Sequence, residues 1–439
     1  MSEQSNLQFI VQPGGKLSGH IRVPGDKSIS HRTIMLGSLA EGTTEVTGFL
    51  EGEDALATLA VFRSMGVQIE GPDNGKVTIH GVGMHGLKDP QKNLDVGNSG
   101  TSIRLLSGLL AGQTFGVTMS GDSSLAKRPM LRVTEPLSLM GAKIDTLEGK
   151  PPLTIHSGNT LKGIDYQLPM ASAQVKSCLL LAGMYADGET SVTEPAPTRD
   201  HTERMLKGMG YDVKVDGNKV TIRGGGKLTA AKIDVPADIS SATFFMVGAA
   251  IAPGSDITLQ HVGINPTRIG VINILRLMGA DIALSNEKET GGEPVADIRV
   301  RFAPLHGIEI PEDQVPLAID EFPAIFIAAA CADGQTVLTG AEELRVKESD
   351  RIQVMADGLQ ALGIDAQPTG DGMIIQGGVI GSGEVTSHGD HRIAMSFAMA
   401  GLQAGGSILI NDCANVATSF PGFVELAQQA GLTIETQDV

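Results

Sequence analysis

The sequence predicts an α/β fold built as two similar domains, each of three repeated units that join a buried helix, an amphipathic helix and strands. Three observations point there. The chain has 439 residues, 41% hydrophobic and 19% charged, which is more than a single hydrophobic core organises. One helical pattern recurs six times along it. The glycines that close this pattern, Gly42, Gly112, Gly188, Gly254, Gly334 and Gly406, return at roughly 70-residue intervals, too long for the thin coils of a solenoid and suited to whole supersecondary units.

In chain order the recurring helices read K-S-I-S-H-R-T-I-M-L-G-S-L-A-E-G, N-S-G-T-S-I-R-L-L-S-G-L-L-A-G, S-A-Q-V-K-S-C-L-L-L-A-G-M-Y-A-D-G, D-I-S-S-A-T-F-F-M-V-G-A-A-I-A-P-G, D-E-F-P-A-I-F-I-A-A-A-C-A-D-G and D-H-R-I-A-M-S-F-A-M-A-G-L-Q-A-G-G. Each opens on a polar loop and runs apolar nearly all round, so each is expected to be buried. An amphipathic helix follows each of them and stops at a glycine before a strand: S-M-G-V-Q-I, L-M-G-A-K-I, G-M-G-Y-D-V, L-M-G-A-D-I, A-L-G-I-D-A and Q-A-G-L-T-I. Glycine there fits a left-handed C-terminal cap, because lacking a Cβ removes the steric cost. These second helices are expected to cover sheets from outside. If the buried helices run parallel within a domain, their N-terminal N–H groups form one electropositive face. Two such faces opposed would make a cleft for a heavily anionic ligand.

The formal net charge of −17 and pI near 5.0 disfavour a general attraction to nucleic acid or anionic membrane, since both need a broad basic surface. Any anion must be caught locally. The start M-S-E-Q-S-N-L-Q-F-I-V-Q lacks a basic region followed by an apolar one, and no apolar run approaches the roughly 18 residues of a spanning helix. A cytoplasmic protein is expected. Cys178, Cys331 and Cys413 are odd in number and show neither a Cys-x-x-Cys nor a Cys/His ligand spacing, so neither a disulfide nor a metal site is expected. Cys178 and Cys331 sit in apolar runs and read as core residues.

Several stretches gather groups that bind anions. P-G-D-K-S-I-S-H-R presents Lys27, Ser28 and Arg32 at a helix start, where Asp26 or Ser28 could instead serve as a cap. L-D-V-G-N-S-G-T-S-I-R sets Gly97 and Gly100 around Asn98, Ser99 and Thr101, letting backbone approach a ligand, although no Gly-Lys-Ser/Thr makes it a Walker loop. K-R-P-M adds Lys127 and Arg128. M-A-S-A-Q-V-K-S offers hydroxyl and amide groups at Ser172 and Gln174 that orient hydroxyls or phosphate oxygens without net charge. P-T-R-D-H-T-E-R supplies Arg199, whose planar fork suits phosphate, beside the candidate caps Thr198 and Asp200.

In the second half, A-I-D-E-F-P places Asp320 and Glu321 where an apolar helix begins. A carboxylate there complements the dipole, and Asp320 could equally act as a general base. L-R-V-K-E-S-D-R-I brings Lys347, Glu348 and Arg351 ahead of an amphipathic helix with Ser349 as the expected N-cap, and leaves Arg345 and Asp350 as structural charges. H-G-D-H-R-I sets His391 and Arg392 at the sixth buried helix.

Together P-G-D-K-S-I-S-H-R, G-N-S-G-T, A-K-R-P-M, S-A-Q-V-K-S, R-V-K-E-S-D-R and G-D-H-R-I-A-M resemble the 5-enolpyruvylshikimate-3-phosphate (EPSP) synthase family across essentially the full length. The resemblance implies the inside-out α/β barrel of enolpyruvyl transferases, with residues 1–21 and 236–439 in one domain, 22–235 in the other, and the active site in the cleft between them. It implies transfer of the enolpyruvyl group of phosphoenolpyruvate to the 5-hydroxyl of shikimate-3-phosphate through a tetrahedral intermediate, by a monomer without cofactor or metal. Carried over by motif, Lys27, Arg128, Arg351 and Arg392 grip phosphoenolpyruvate. Ser28, Arg32, Ser172, the Ala173 backbone, Gln174, Arg199, Asp320 and Lys347 hold shikimate-3-phosphate. Asp320 is implied as the base toward the hydroxyl, Glu348 as acid and base at C3, and Lys27 as partner of the departing phosphate. So many cations make physical sense, since like unit charges about 5 Å apart repel by roughly 3 kcal/mol at an effective dielectric near 20.

Departures narrow the subclass. Thr418 and Glu343 stand where some members have Lys and Asn, and Leu105 replaces a Pro; the pattern is similar to the class II branch. Gly100 implies sensitivity to glyphosate or only partial tolerance, because tolerant class II members can carry Ala there, whereas the class II pattern itself pulls toward tolerance. Two alternatives compete. The related transferase acting on UDP-N-acetylglucosamine generally has a reactive Cys where this chain has Ser123, and Asn where it has Ser28. A catalytically dead anion-binding protein would lack acid and base groups, yet Asp320 and Glu348 are present.

Overall fold

The computed structural model describes residues 7–438. These form two compact units. One comprises the described residues through Pro24, then Pro236–Glu289 and Pro294 onward; the other comprises Gly25–Val235 with Thr290–Glu293. The chain therefore passes from one to the other after Pro24 and returns after Val235. Each unit has its own apolar core, one running from Ile29 to Val235 and the other joining Phe9 to Val23 with Ala237 to Ile434.

In the Gly25–Val235 unit the helices are α1 (Lys27–Leu39), α2 (Glu53–Ser64), α3 (Gly100–Ala111), α4 (Leu131–Leu139), α5 (Ala173–Gly183) and α6 (His201–Gly208). The other unit carries α7 (Ile239–Ile251), α8 (Gly270–Leu277), the single turn α9 (Val315–Ala318), α10 (Phe322–Ala330), α11 (Arg351–Ala361), α12 (His391–Ala400) and α13 (Phe423–Ala430). The apolar helices α1, α3, α5, α7, α10 and α12 are buried almost throughout. Their amphipathic partners bury only one stripe, as in α2, α8 and α13. Gly66, Gly141, Gly210, Gly279, Gly363 and Gly431, the residues expected to cap those partners, all take positive φ. Where α3 crosses α5 a Cβ on Gly108 would lie 2.0 Å from the carbonyl oxygen of Cys178, so a hydrogen there is what lets the two backbones touch.

Six small sheets surround these helices among the described residues, five of four strands and one of three. The second repeat shows the plan. Leu94–Asp95 leads through α3 into Val117–Ser120, which pairs parallel with it, and α4 then leads into the antiparallel hairpin Ile144–Leu147 and Lys150–Ile155. The crossing segments close the first repeat of each unit: Lys232–Asp234 pairs parallel with Thr43–Thr47, and Ser18–Ile21 with Asp256–Gly263. Each unit is thus closed on itself: in the Gly25–Val235 unit the edge strand comes from the end of that stretch, and in the other it comes from the residues ahead of Pro24.

The buried helices meet at their N-terminal ends. In one unit Arg32 of α1 donates to Ser177 Oγ of α5 at 2.9 Å, and Arg104 of α3 donates to Gln174 Oε1 of α5 at 2.5 Å. In the other, Ser240 of α7 donates to Glu321 just before α10, and Arg392 of α12 donates to the Asp320 carbonyl at 3.1 Å. A parallel arrangement puts the positive ends of three helix dipoles on one face of each unit.

Candidate functional site

Each unit carries a cluster of charged and polar groups on this face. In the Gly25–Val235 unit, Asp26 caps α1 by accepting from Ile29 N at 2.9 Å, which leaves Ser28 without the capping role. Lys27 pairs with the largely buried Asp54 of α2, a partner with no sequence signal of its own. Arg32 is 4% exposed and spends its guanidinium on Thr202 Oγ1 (2.7 Å), the Ser28 carbonyl (2.9 Å) and Ser177 Oγ (2.9 Å). Burial lowers its pKa to about 10, still cationic at neutral pH. His31 beside it is held well below its ordinary value, first by burial and then by the charges of Lys27 and Arg32.

Arg128 reaches back over the glycine-rich loop and donates to Asn98 Oδ1 at 2.6 Å, while Asn98 donates to Asp122 at 2.6 Å. Gly100 begins α3 beneath two guanidinium groups: a Cβ there would lie 2.9 Å from Arg128 Nη1 and 3.1 Å from Arg104 Nη1. Arg104, which sequence reasoning passed over, also anchors Gln174, whose amide donates to Thr101 Oγ1 at 3.1 Å. Ser172 caps α5 by accepting from Val175 N at 3.3 Å, and Ala173 is the first helical residue. Arg199 is half-buried, one residue ahead of the Asp200 that precedes α6. Neither candidate cap acts through its side chain: Thr198 donates to Glu194, and Asp200 accepts from Arg204 at 2.8 Å.

In the other unit Arg351 is the hub. It is 1% exposed, and its guanidinium meets Asp390 (2.8 Å), Glu348 (2.7 Å) and Asp320 (3.4 Å). Burial alone would lower its pKa, but Asp390, Glu348 and Asp320 more than offset this and hold it above the usual arginine value. Lys347 lies 3.5 Å from Asp320 and 2.8 Å from Glu343. Arg392 lies 3.9 Å from Glu321 as well as donating to the Asp320 carbonyl.

Two local expectations fail here. The N-cap of α11 is Asp350, which accepts from Gln353 N at 3.0 Å, whereas Ser349 turns away and donates to Asp390 at 3.0 Å. Lys347 ends a 3-10 turn before α11 begins at Arg351, so the two cations share Asp320 rather than a helix face. Arg345, paired with Asp350 at 2.6 Å and bound to the Thr369 and Gly370 carbonyls, is structural.

Asp390 is the functional neighbour that sequence reasoning missed: it is fully buried, caps α12 and ion-pairs with Arg351. Its signal was the Asp-His-Arg start itself, since an acid at an N-cap is ordinary until a buried cation is shown opposite it. Thr418 turns inward and donates to the Asn415 carbonyl at 2.7 Å. Burial pushes all three cysteine thiols up to about 12, so none is a ready nucleophile; Cys178 and Cys413 are buried, and Cys331 packs against the core from its edge. Asp200, His201 and Glu293 bring three potential metal-ligand atoms within 4.8 Å, with His201 Nδ1 2.7 Å from Glu293. That spacing is an ordinary hydrogen bond. No helix among the described residues is long and apolar enough to cross a membrane.

The sequence model of the EPSP synthase (3-phosphoshikimate 1-carboxyvinyltransferase) family matches residues 11–426. The 3-phosphoshikimate 1-carboxyvinyltransferase of Methylococcus capsulatus is 71% identical over 431 residues, which is 98% of this chain and 99% of that one. That of Legionella pneumophila is 58% identical over 98% of this chain and 99% of its own length. Among solved structures, EPSP synthase from Acinetobacter baumannii superposes with a TM-score of 0.89 at 64% identity, covering 98% of this chain and 100% of that one. The enolpyruvyl transferase NikO from Streptomyces tendae shares the fold at a TM-score of 0.80 and 15% identity, over 99% of this chain and 100% of its own.

Proposed function

This chain belongs to the EPSP synthase family, and we propose from that premise how its residues divide the work. The reaction transfers the enolpyruvyl group of phosphoenolpyruvate to the 5-hydroxyl of shikimate-3-phosphate and releases phosphate, a step toward aromatic amino acids. The hydroxyl oxygen bonds to C2 of the enol while C3 gains a proton. C3 then returns a proton as the C2–O bond to phosphate breaks.

The observation that carries our assignment is the cluster in which one buried guanidinium, Arg351, holds both Glu348 and Asp320. Two carboxyl groups tied to one cation can be assigned opposite tasks. Asp320, at the N-terminal end of α10, takes the hydroxyl proton, and Glu348, 27% exposed, gives and removes the proton at C3. Arg351 also binds the phosphoenolpyruvate, together with Lys27, Arg128 and Arg392; Lys27 receives the departing phosphate. Ser28, Arg32, Ser172, the Ala173 backbone, Gln174, Arg199 and Lys347 orient the acceptor. Preorganised cations and helix N-termini stabilise charge as it develops, without having to reorganise at the moment of reaction.

Gly100 leaves the space beside Arg128 open, and on this reading glyphosate occupies the phosphoenolpyruvate subsite. The same reading has the chain act as a monomer in the cytoplasm, which a sedimentation mass and fractionation would check. The function itself is tested by phosphate release from phosphoenolpyruvate with shikimate-3-phosphate and with UDP-N-acetylglucosamine supplied separately. Turnover with the phosphorylated shikimate is expected, and turnover of the UDP-sugar alone would overturn the assignment.

A further inference from the structure

Lys176 is a buried cation to which the proposed reaction gives no task. It stands in the first turn of α5, two residues after Gln174, and is 1% exposed. Its Nζ lies 2.7 Å from Glu194 and 2.7 Å from Glu203. Glu194 follows the strand Glu189–Thr193, and Glu203 is in the first turn of α6, so the two carboxylates bracket the segment 194–203. Arg199 lies in the middle of that segment, and the adjacent Thr198 donates its hydroxyl to the other oxygen of Glu194. On the α6 side, Thr202 joins Arg32 at 2.7 Å to Ser177 of α5 at 2.7 Å.

Burying an ammonium and two carboxylates is costly, and well-packed apolar residues of the same volume would commonly serve stability as well or better. What three buried charges supply that apolar packing does not is a directional tie between particular atoms. Here the ties run from the helix bearing Ser172 and Gln174 to both ends of the segment bearing Arg199.

We propose that Lys176 is a positioning residue for the phosphorylated acceptor: its paired bonds to Glu194 and Glu203, extended by Thr198, hold Arg199 ready before shikimate-3-phosphate arrives. The proposal rests on the role given to Arg199 above. Holding the segment in advance lowers the ordering cost of binding, so its loss falls on acceptor affinity and leaves the chemistry at C2 and C3 intact.

Steady-state phosphate release with both substrates varied tests this. Turnover of shikimate-3-phosphate by the unaltered chain comes first; its absence would sink the functional reading and say nothing of the clamp. Thr198→Val cuts only the last tie and leaves the buried charges paired. It should raise KM for shikimate-3-phosphate about tenfold, the loss of one hydrogen bond to a charged group. KM for phosphoenolpyruvate and kcat should stay within about twofold. Lys176→Met combined with Glu194→Gln and Glu203→Gln leaves no unpaired charge and should show the same split more strongly. In an Arg199→Ala background Thr198→Val should add little, because both act through one group. An unchanged acceptor KM in Thr198→Val, equal rises for both substrates, or full additivity with Arg199→Ala would overturn the proposal.

Discussion

Replacing Arg351 by Met removes the hub of the Asp320, Glu348 and Asp390 cluster while keeping most of the side-chain volume. The three carboxylates do not suffer equally. Glu348 is 27% exposed and Asp320 13%, so water can approach them, whereas Asp390 is 0% exposed. Asp390 keeps two uncharged donors, Ser349 Oγ and Arg392 N, both at 3.0 Å, but loses the guanidinium that lies within 3.3 Å of both its oxygens. Leaving one charge of a buried pair uncompensated costs about 3–5 kcal/mol, roughly a fifth or more of the stability of an ordinary domain. Adding Asp390→Asn neutralises the stranded charge and should restore about 2 kcal/mol, within the usual coupling range for contacting residues. Activity should not return with it, because the phosphoenolpyruvate contact proposed for Arg351 is still gone. The chain has no tryptophan and three tyrosines, so urea unfolding followed by far-ultraviolet circular dichroism is the suitable assay. A single-variant loss under about 1 kcal/mol, or a double variant no more stable than the single one, would refute the argument that desolvation of Asp390 sets the cost.

Three other outcomes follow from the same geometry. Gly100→Ala places a methyl group 2.9 Å from Arg128 Nη1. The guanidinium must retreat by several tenths of an ångström, so KM for phosphoenolpyruvate should rise about tenfold and glyphosate inhibition should weaken further, while a wild-type inhibition constant would contradict it. Glu348→Gln can still accept from Arg351 yet cannot cycle a proton, so substrate binding measured by calorimetry should persist while kcat falls by about 10²–10⁴; near-normal turnover would remove Glu348 from the mechanism. His31, buried and bonded to Thr58 Oγ1 at 2.8 Å, is held below its ordinary pKa of 6.5. The folded chain resists a proton that the unfolded chain accepts. Its contribution is therefore complete above about pH 6.5 and is lost as pH falls below that, at up to about 1.4 kcal/mol per pH unit. The fall in melting temperature between about pH 6.5 and 5 should be shallower in His31→Gln, and parallel curves would contradict the assignment.

The repeat, the buried character of one helix in each pair and the capping glycines were legible in the sequence, because each depends on local chemistry. An all-apolar helix has no face to show to water, and a helix that must stop needs φ values that glycine reaches cheaply. The candidate residues Lys27, Arg32, Arg128, Gln174, Asp320, Glu348 and Arg351 could be singled out as well, since they crowd into short polar stretches near helix starts. Lys176 left a fainter trace: a single lysine on a helix with no polar face must be paired, but the sequence does not say with what. Only the tertiary structure supplied the partners. Asp54 for Lys27, Asp390 for Arg351, Glu194 and Glu203 for Lys176 and Arg104 for Gln174 all come from other elements of the fold. The cap of α11 passed from Ser349 to Asp350 for the same reason, since a buried acid 41 positions away engages the serine hydroxyl. Periodicity and caps are settled within a turn or two of chain, whereas the pairing of buried charges is settled by which helix starts the packing brings together.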